Sequence, residues 1–163
     1  MGHRRIAYIS GPLSTEVGRL RKKGFCDRLL SLANDDDNLH LQSVEGHFDY
    51  ASGEESARKL LVGEFHTRPT AIAAASDQQA IGVLRFARDL GLEVPSELSI
   101  AGFDDIALAK LVVPSLTSVS QRTDEMARIA VNHLMSKEPL INDDQLVETY
   151  LCPRESTGPV RKA

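Results

Sequence analysis

The sequence predicts an α/β fold, a doubly wound parallel sheet with helices on both faces. Three observations predict it. Short apolar runs alternate with amphipathic stretches in the order β-α-β-α-β-α-β as far as Phe103. Right-handed crossovers turn that order into a parallel sheet covered on both sides. Ala71 to Ala75 is a continuous apolar run, as expected of a strand buried on both faces. Polar and acidic residues follow the strand ends at Ser76-Asp77 and Asp104-Asp105, on the edge where open α/β sheets bind ligands.

Each element has its own signal. Ile6 to Ser10 is an apolar strand broken by Gly11-Pro12. Val17, Leu20, Gly24-Phe25 and Leu29 then recur at helical spacing up to the acidic loop Asp35-Asp36-Asp37-Asn38. Leu39 to Glu45 alternates and carries enough polar residues to suggest a sheet edge or a half-exposed face. Ser52-Gly53-Glu54-Glu55 reads as a capping box, with Ala57, Leu60, Leu61 and Phe65 marking its helix. After the apolar run, Ser76 stands three residues before Gln79, another capping box. Its helix places Ile81, Leu84, Ala87 and Leu90 on one face and stops at Gly91, with Pro95 beyond. Ser99 to Phe103 is the next strand.

The last third changes pattern. Leu116 to Gln121 is strand-like, and Thr123 opens a helix with Met126, Ile129, Ala130, His133 and Leu134 on its apolar side. Val147 to Cys152 is a final strand before a polar tail.

Composition narrows the function classes. A chain of 163 residues with 42% hydrophobic content buries a core as one globular unit. The net charge of -4 gives no electrostatic case for nucleic acid as a partner of this segment itself. No apolar run approaches the ~20 residues that span a membrane, and the N-terminus has no signal-peptide core. A soluble, cytoplasmic protein without membrane contact is expected, with Cys26 and Cys152 as free thiols. The five histidines lack metal-ligand spacing. Asp77, Asp104 and Asp105 have no Lys or Gly-rich phosphate loop to make a Mg²⁺ site of them. No metal, no cofactor and no catalytic residue is expected; this does not read as an enzyme.

The wording of several stretches goes further. Pro69 to Ile72, Ala75 to Gly82, Leu90 to Pro95 and Ser99 to Asp105 resemble, in order and spacing, the effector-binding core of lactose-repressor (LacI/GalR) family transcription regulators. The resemblance runs through Gly2 to Ala7, Gly11 to Ser14 and Arg19 to Arg21, and closes with Pro114 to Val119 and Arg154 to Thr157. It implies a periplasmic-binding-protein-like core, of which this chain is the second subdomain plus a crossover strand and helix. Family members carry a helix-turn-helix headpiece and a first α/β subdomain, and this chain begins where the second subdomain begins. Residues 1–113 are then the effector-binding lobe. Residues 114–146 cross toward the first subdomain, and 147–163 are the return strand and tail. With that subdomain absent, the helix from Thr123 is expected to repack on this chain's own sheet, to pair with another copy or to be poorly ordered.

The resemblance implies a repressor that closes two lobes around a small-molecule effector, a sugar or related metabolite. It would touch DNA only through the missing headpiece and form a homodimer through the helix after Ser76 and the apolar Ile106–Val113 segment. Two alternatives stay open: a sugar-binding protein of a transport system, or a truncated half-core without activity of its own. An exported binding protein would carry a signal peptide and would not usually end in Arg154-Glu155-Ser156-Thr157.

The candidate site is the carboxyl edge of the sheet. Its turns offer Ser14 and Thr15, then Phe48, then Ser76 and Asp77, then Asp104 and Asp105, with Arg21 able to reach back over the edge. A guanidinium fork, a carboxylate and an aromatic plane suit a polyhydroxylated ligand. By resemblance, Arg21, Phe48, Ser76 and Asp104 fall on effector-contacting positions. Plainer roles compete: Ser76 as a helix cap, Asp77 as a dipole complement, Phe48 as packing, Arg21 as a surface charge and Asp104-Asp105 as a turn pair. Ser76 also departs from members that carry Asn there.

Overall fold

The computed structural model describes residues 1–33, 38–63, 66–136 and 145–160. Its strands are β1 (Arg5–Ser10), β2 (His40–Glu45), β3 (Ala71–Ala74), β4 (Ser99–Asp104), β5 (Thr117–Ser120) and β6 (Tyr150–Cys152). Its α-helices are α1 (Glu16–Leu32), α2 (Tyr50–Leu61), α3 (Asp77–Asp89) and α4 (Thr123–Met135), with a 3-10 turn at Ala107–Lys110. The sheet order is β2-β1-β3-β4-β5-β6. The first five strands run parallel, and β6 returns antiparallel to β5. β2 lies at the edge, as its mixed alternation predicts. The fold is the predicted parallel α/β sheet, with an antiparallel strand on its far edge.

Sequence and core meet most clearly under α2 and α3. Ala7, Ile9, Ile72, Ala74 and Ile100 are buried on one face of the sheet and pack with Leu61 and Val83 from these helices. The two helices approach closely because glycine faces backbone in both directions. A Cβ on Gly53 would meet the Gln79 carbonyl oxygen at 2.2 Å, and one on Gly82 would meet that of Tyr50 at 2.3 Å. The Ser76 hydroxyl caps α3 by accepting from the Gln79 amide, and the chain leaves α3 at Gly91 with φ +72.

Three expectations are corrected. The cap of α2 is Asp49, which accepts from the Ser52 amide at 2.7 Å. Ser52 sits inside the helix, and its hydroxyl accepts from the His47 amide. The core-facing side of α1 is also rotated from the predicted stripe: Val17 and Leu20 are 51% and 59% exposed. Phe25 and Leu29 face inward as predicted, with Phe25 stacked on Tyr8 at a 4.5 Å centroid distance, but Gly18 and Arg21 complete that side in place of Val17 and Leu20. A Cβ on Gly18 would lie 2.2 Å from the Pro12 carbonyl oxygen, so this face alone permits the approach. Of the outcomes expected for α4, repacking on this chain's own sheet is not the one adopted: none of its residues is buried, and Leu134 is 84% exposed. Arg122, in the left-handed conformation, starts it two residues after β5, and its Met126, Ile129 and Ala130 line a cavity with Gln121 and the stretch 145–149. The final strand is shorter than Val147 to Cys152. The expectations for Phe65 and for Asp35 to Asp37 fall outside the described residues.

The tail after β6 is bound rather than loose. Ser156 is fully buried, bridging the Ile100 carbonyl and the Thr117 amide through its hydroxyl. His3 links Thr70 to the Gly158 carbonyl, tying both ends of the chain to the sheet.

Candidate functional site

The strand order reverses between β1 and β3, and the crevice beyond their carboxyl ends is where open sheets hold ligands. A cavity of about 410 Å³ lies there, lined by Thr15, Val17, Arg21, Phe48, Ser76, Gln78, Asp104 and Ile106. Four predicted residues, Arg21, Phe48, Ser76 and Asp104, are brought together in this wall. Thr15, which shares its turn with Ser14, joins them.

Local sequence sets each one in place. Phe48 adopts φ +62, rare for a bulky residue, and Gly11 makes room for its ring. A Cβ on Gly11 would sit 1.9 Å from Phe48 Cζ. The Ser76 hydroxyl donates to the Phe48 carbonyl at 3.0 Å while it caps α3, so the capping role and the site role coincide. Arg21 donates to the Ala75 carbonyl through Nη1 and to Asp104 Oδ1 through Nη2 at 3.1 Å. Its guanidinium lies over the Phe103 ring at 4.1 Å and 5.5 Å from the centroid of Phe48, a stack that orients the fork. Gln121 donates to the same Asp104 oxygen at 2.6 Å. Asp104 and Asp105 hold φ of +113 and +54, turning the chain at the end of β4.

Two predicted residues are placed otherwise. Asp77 is fully buried and does not line the cavity. Its Oδ1 accepts from the Ser118 hydroxyl at 2.6 Å and its Oδ2 from the Ile106 amide at 2.8 Å. Gly102 lies beneath it, where a Cβ would come within 2.2 Å of Oδ1. Asp77 is thus a clamp between α3, β5 and the segment that carries Ile106. Ser14 is exposed and its carbonyl accepts from Arg19; its neighbour Thr15, also exposed, lines the cavity instead. Val17, Gln78 and Ile106 were missed as lining residues, and Phe103 and Gln121 as supports. Gln78, Phe103 and Ile106 each neighbour a residue the sequence offers for the site, whereas Gln121 carries no local signal.

Burial pushes the Asp104 carboxyl above its ordinary range, against the opposing pull of Arg21 and Gln121. Burial raises Asp77 too, partly offset by its Ser118 and Ile106 bonds. Both carboxyls therefore bind a proton more readily folded than unfolded. Their contribution to stability grows as pH falls through the folded values and levels off below about 3.9, the unfolded value. Burial takes the Tyr8 hydroxyl to about 12. Among the described residues, no group of three or more His, Cys, Asp or Glu side chains is placed to hold a metal ion.

The clamp role of Asp77 has a measurable consequence. Asp77→Ala strands a half-buried amide at Ile106 and a buried hydroxyl at Ser118, an expected loss of about 2–3 kcal/mol. A thermal melt should then fall by roughly 4–12 °C. A variant melting with the parent would remove the clamp from the account.

The family profile described as a periplasmic binding protein-like domain matches residues 1–157. The chain is similar to the catabolite control protein A of Priestia megaterium, at 37% identity over 90% of this chain and 44% of that protein. It is similar to the ribose operon repressor of Haemophilus influenzae at 37% over 93% of this chain and 45% of that protein. The HTH-type transcriptional repressor PurR of Salmonella typhi is 34% identical over 98% of this chain and 47% of its own length. The chain thus spans less than half the length of these curated relatives. Among solved structures, a dimeric Lac repressor with an 11-residue C-terminal deletion superposes with a TM-score of 0.86 at 28% identity, over 99% of this chain and 57% of that one. A LacI regulator from a Rhodococcus species gives 0.84 at 31% identity, over 99% and 58%.

Proposed function

Since the chain belongs to the LacI/GalR family, as part of its periplasmic-binding-protein-like effector domain, we propose that it forms one of two lobes closing around a sugar or related small metabolite. The observation that carries this reading is the Arg21–Asp104 pair, set beside Phe48 over the crevice between β1 and β3. The carboxylate and fork suit hydroxyls, and the ring suits the apolar face of a sugar.

In this reading residues 1–113 are the lobe, α4 in 114–146 packs on the first lobe, and 147–163 return. The bare apolar side of α4 is consistent with such a partner. Ligand would favour the closed arrangement of the lobes and so shift the pose of a helix-turn-helix headpiece, making the whole protein a repressor. Self-association would use α3 and the segment 106–113, where Leu111 and Val113 are 74% and 79% exposed. No described helix is long and apolar enough to cross a membrane.

The test is calorimetry against a sugar panel, on the product of the longest reading frame containing this chain. Asp104→Ala is expected to weaken binding about 100-fold, since a buried charged partner is lost. Ser14→Ala, outside the cavity, should leave binding unchanged. Equal affinity in the parent and Asp104→Ala would sink the reading.

A further inference from the structure

We propose that Asp104, by neutralising Arg21, makes this pocket select an uncharged, hydroxyl-bearing ligand over the phosphate ester of the same molecule. The inference rests on the cavity being the effector site. An arginine in a ligand pocket ordinarily suggests an anion. This one is already committed. Nη1 donates to the Ala75 carbonyl, Nη2 donates to Asp104, and one face is stacked on Phe103. Two of its five N–H donors are thereby taken, and a phosphate must share the guanidinium with the Asp104 carboxylate.

The charges of the wall cancel. Among the described residues lining the cavity, Arg21 and Asp104 are the charged pair, so an entering dianion meets attraction and repulsion at similar range. The helix termini do not tip this balance. Thr15 caps α1 and Ser76 caps α3 at the cavity, but each first turn carries an acid, Glu16 and Asp77. Asp105, behind Asp104, is matched by Arg154.

The carboxylate is arranged to accept from a ligand. The bonds from Arg21 and Gln121 both fall on Oδ1, and no donor among the described residues reaches Oδ2. That oxygen suits a hydroxyl and repels a phosphate. Asp104→Asn retains the shape and suits the left-handed backbone at φ +113, while it removes the charge that cancels Arg21. The variant should therefore shift preference toward the ester.

The experiment follows the backbone amides of Thr15, Ser76, Gln78 and Ile106 by two-dimensional NMR. It is run on this chain and on the product of the longest reading frame containing it. Matched probes are D-ribose with ribose 5-phosphate, and D-glucose with glucose 6-phosphate. The neutral member of a pair is expected to bind at least about tenfold more tightly, and Asp104→Asn is expected to narrow or reverse that ratio. Tighter binding of the ester to the parent, at the same amides, overturns the charge selection and leaves the effector-site reading standing. An unchanged ratio in a folded Asp104→Asn overturns the role of Asp104. Silence of these amides toward every probe in both proteins overturns the effector-site reading, and the inference with it.

Discussion

Gly82→Ala is expected to cost more than about 3 kcal/mol and to lower the melting temperature by roughly 6–12 °C. The added methyl group would stand 2.3 Å from the Tyr50 carbonyl oxygen and 2.8 Å from the Glu54 amide nitrogen. Both are backbone atoms of α2, so no rotamer change relieves the contact. The helices must separate, and the joint core above Ile72 and Ile100 opens with them. Gly24→Ala is the matched control. Nothing lies within 4 Å of a Cβ there, and the site is an exposed helix interior. Alanine at Gly24 should be neutral or stabilise by up to about 1 kcal/mol through helix propensity. Circular-dichroism melts of both variants decide the matter, and equal melting points would show that α2 and α3 are not held at glycine distance.

Arg154→Ala should be the second most damaging change. Arg154 pairs with Asp105 where both side chains are largely buried, at 14% and 11% exposure, and it also donates to the Leu116 carbonyl. Removing it leaves Asp105 with a buried charge, a loss of about 3 kcal/mol. The low end of the usual range applies because the pair keeps some contact with solvent. Its pH dependence gives a second readout. Burial alone would raise Asp105, but the bond and charge of Arg154 outweigh it and hold the carboxyl below its ordinary range. The pair therefore stabilises the fold above about pH 3.9, the unfolded value, and that contribution is lost as pH falls through the lower folded value. Arg154→Ala should flatten this part of the acid limb while lowering stability at neutral pH. Denaturant titrations at several pH values would measure both effects. A variant within about 1 kcal/mol of the parent at neutral pH would show that the pair is solvent-like after all.

The local signals in the chain were readable wherever one residue satisfies its own neighbours. Ser76 caps α3 because its hydroxyl lies within reach of the Gln79 amide, and Gly91 ends the helix because a residue without Cβ turns left-handed freely. The apolar run of β3 and the alternation of β2 likewise revealed strand and edge. The stripe on α1 was right at Phe25 and Leu29 and wrong at Val17 and Leu20, for an identifiable reason. Two stripes compete on it, and the inward one includes Arg21, which lies over the Phe103 ring while hydropathy counts it as polar. The cap of α2 was misplaced by three residues because Asp49 and Ser52 are both good caps, and only the entry path of the chain chooses between them.

The sequence by itself determined the parallel α/β architecture, the family and four residues of the cavity wall. These follow from strand period, capping chemistry and motif spacing, all of them short-range along the chain. Tertiary structure alone decided that Asp77, unlike Asp104, is a clamp and not a wall residue, although each follows the end of a strand. Gly102 makes a dry recess for the first, while Arg21 and Gln121 hold the second at the opening. It alone reversed β6 against β5, recruited Ile106 and Gln121 to the site, and left α4 bare. Those outcomes depend on which distant segments share space, because burial and hydrogen-bond partners come from the assembled sheet and not from neighbours in sequence.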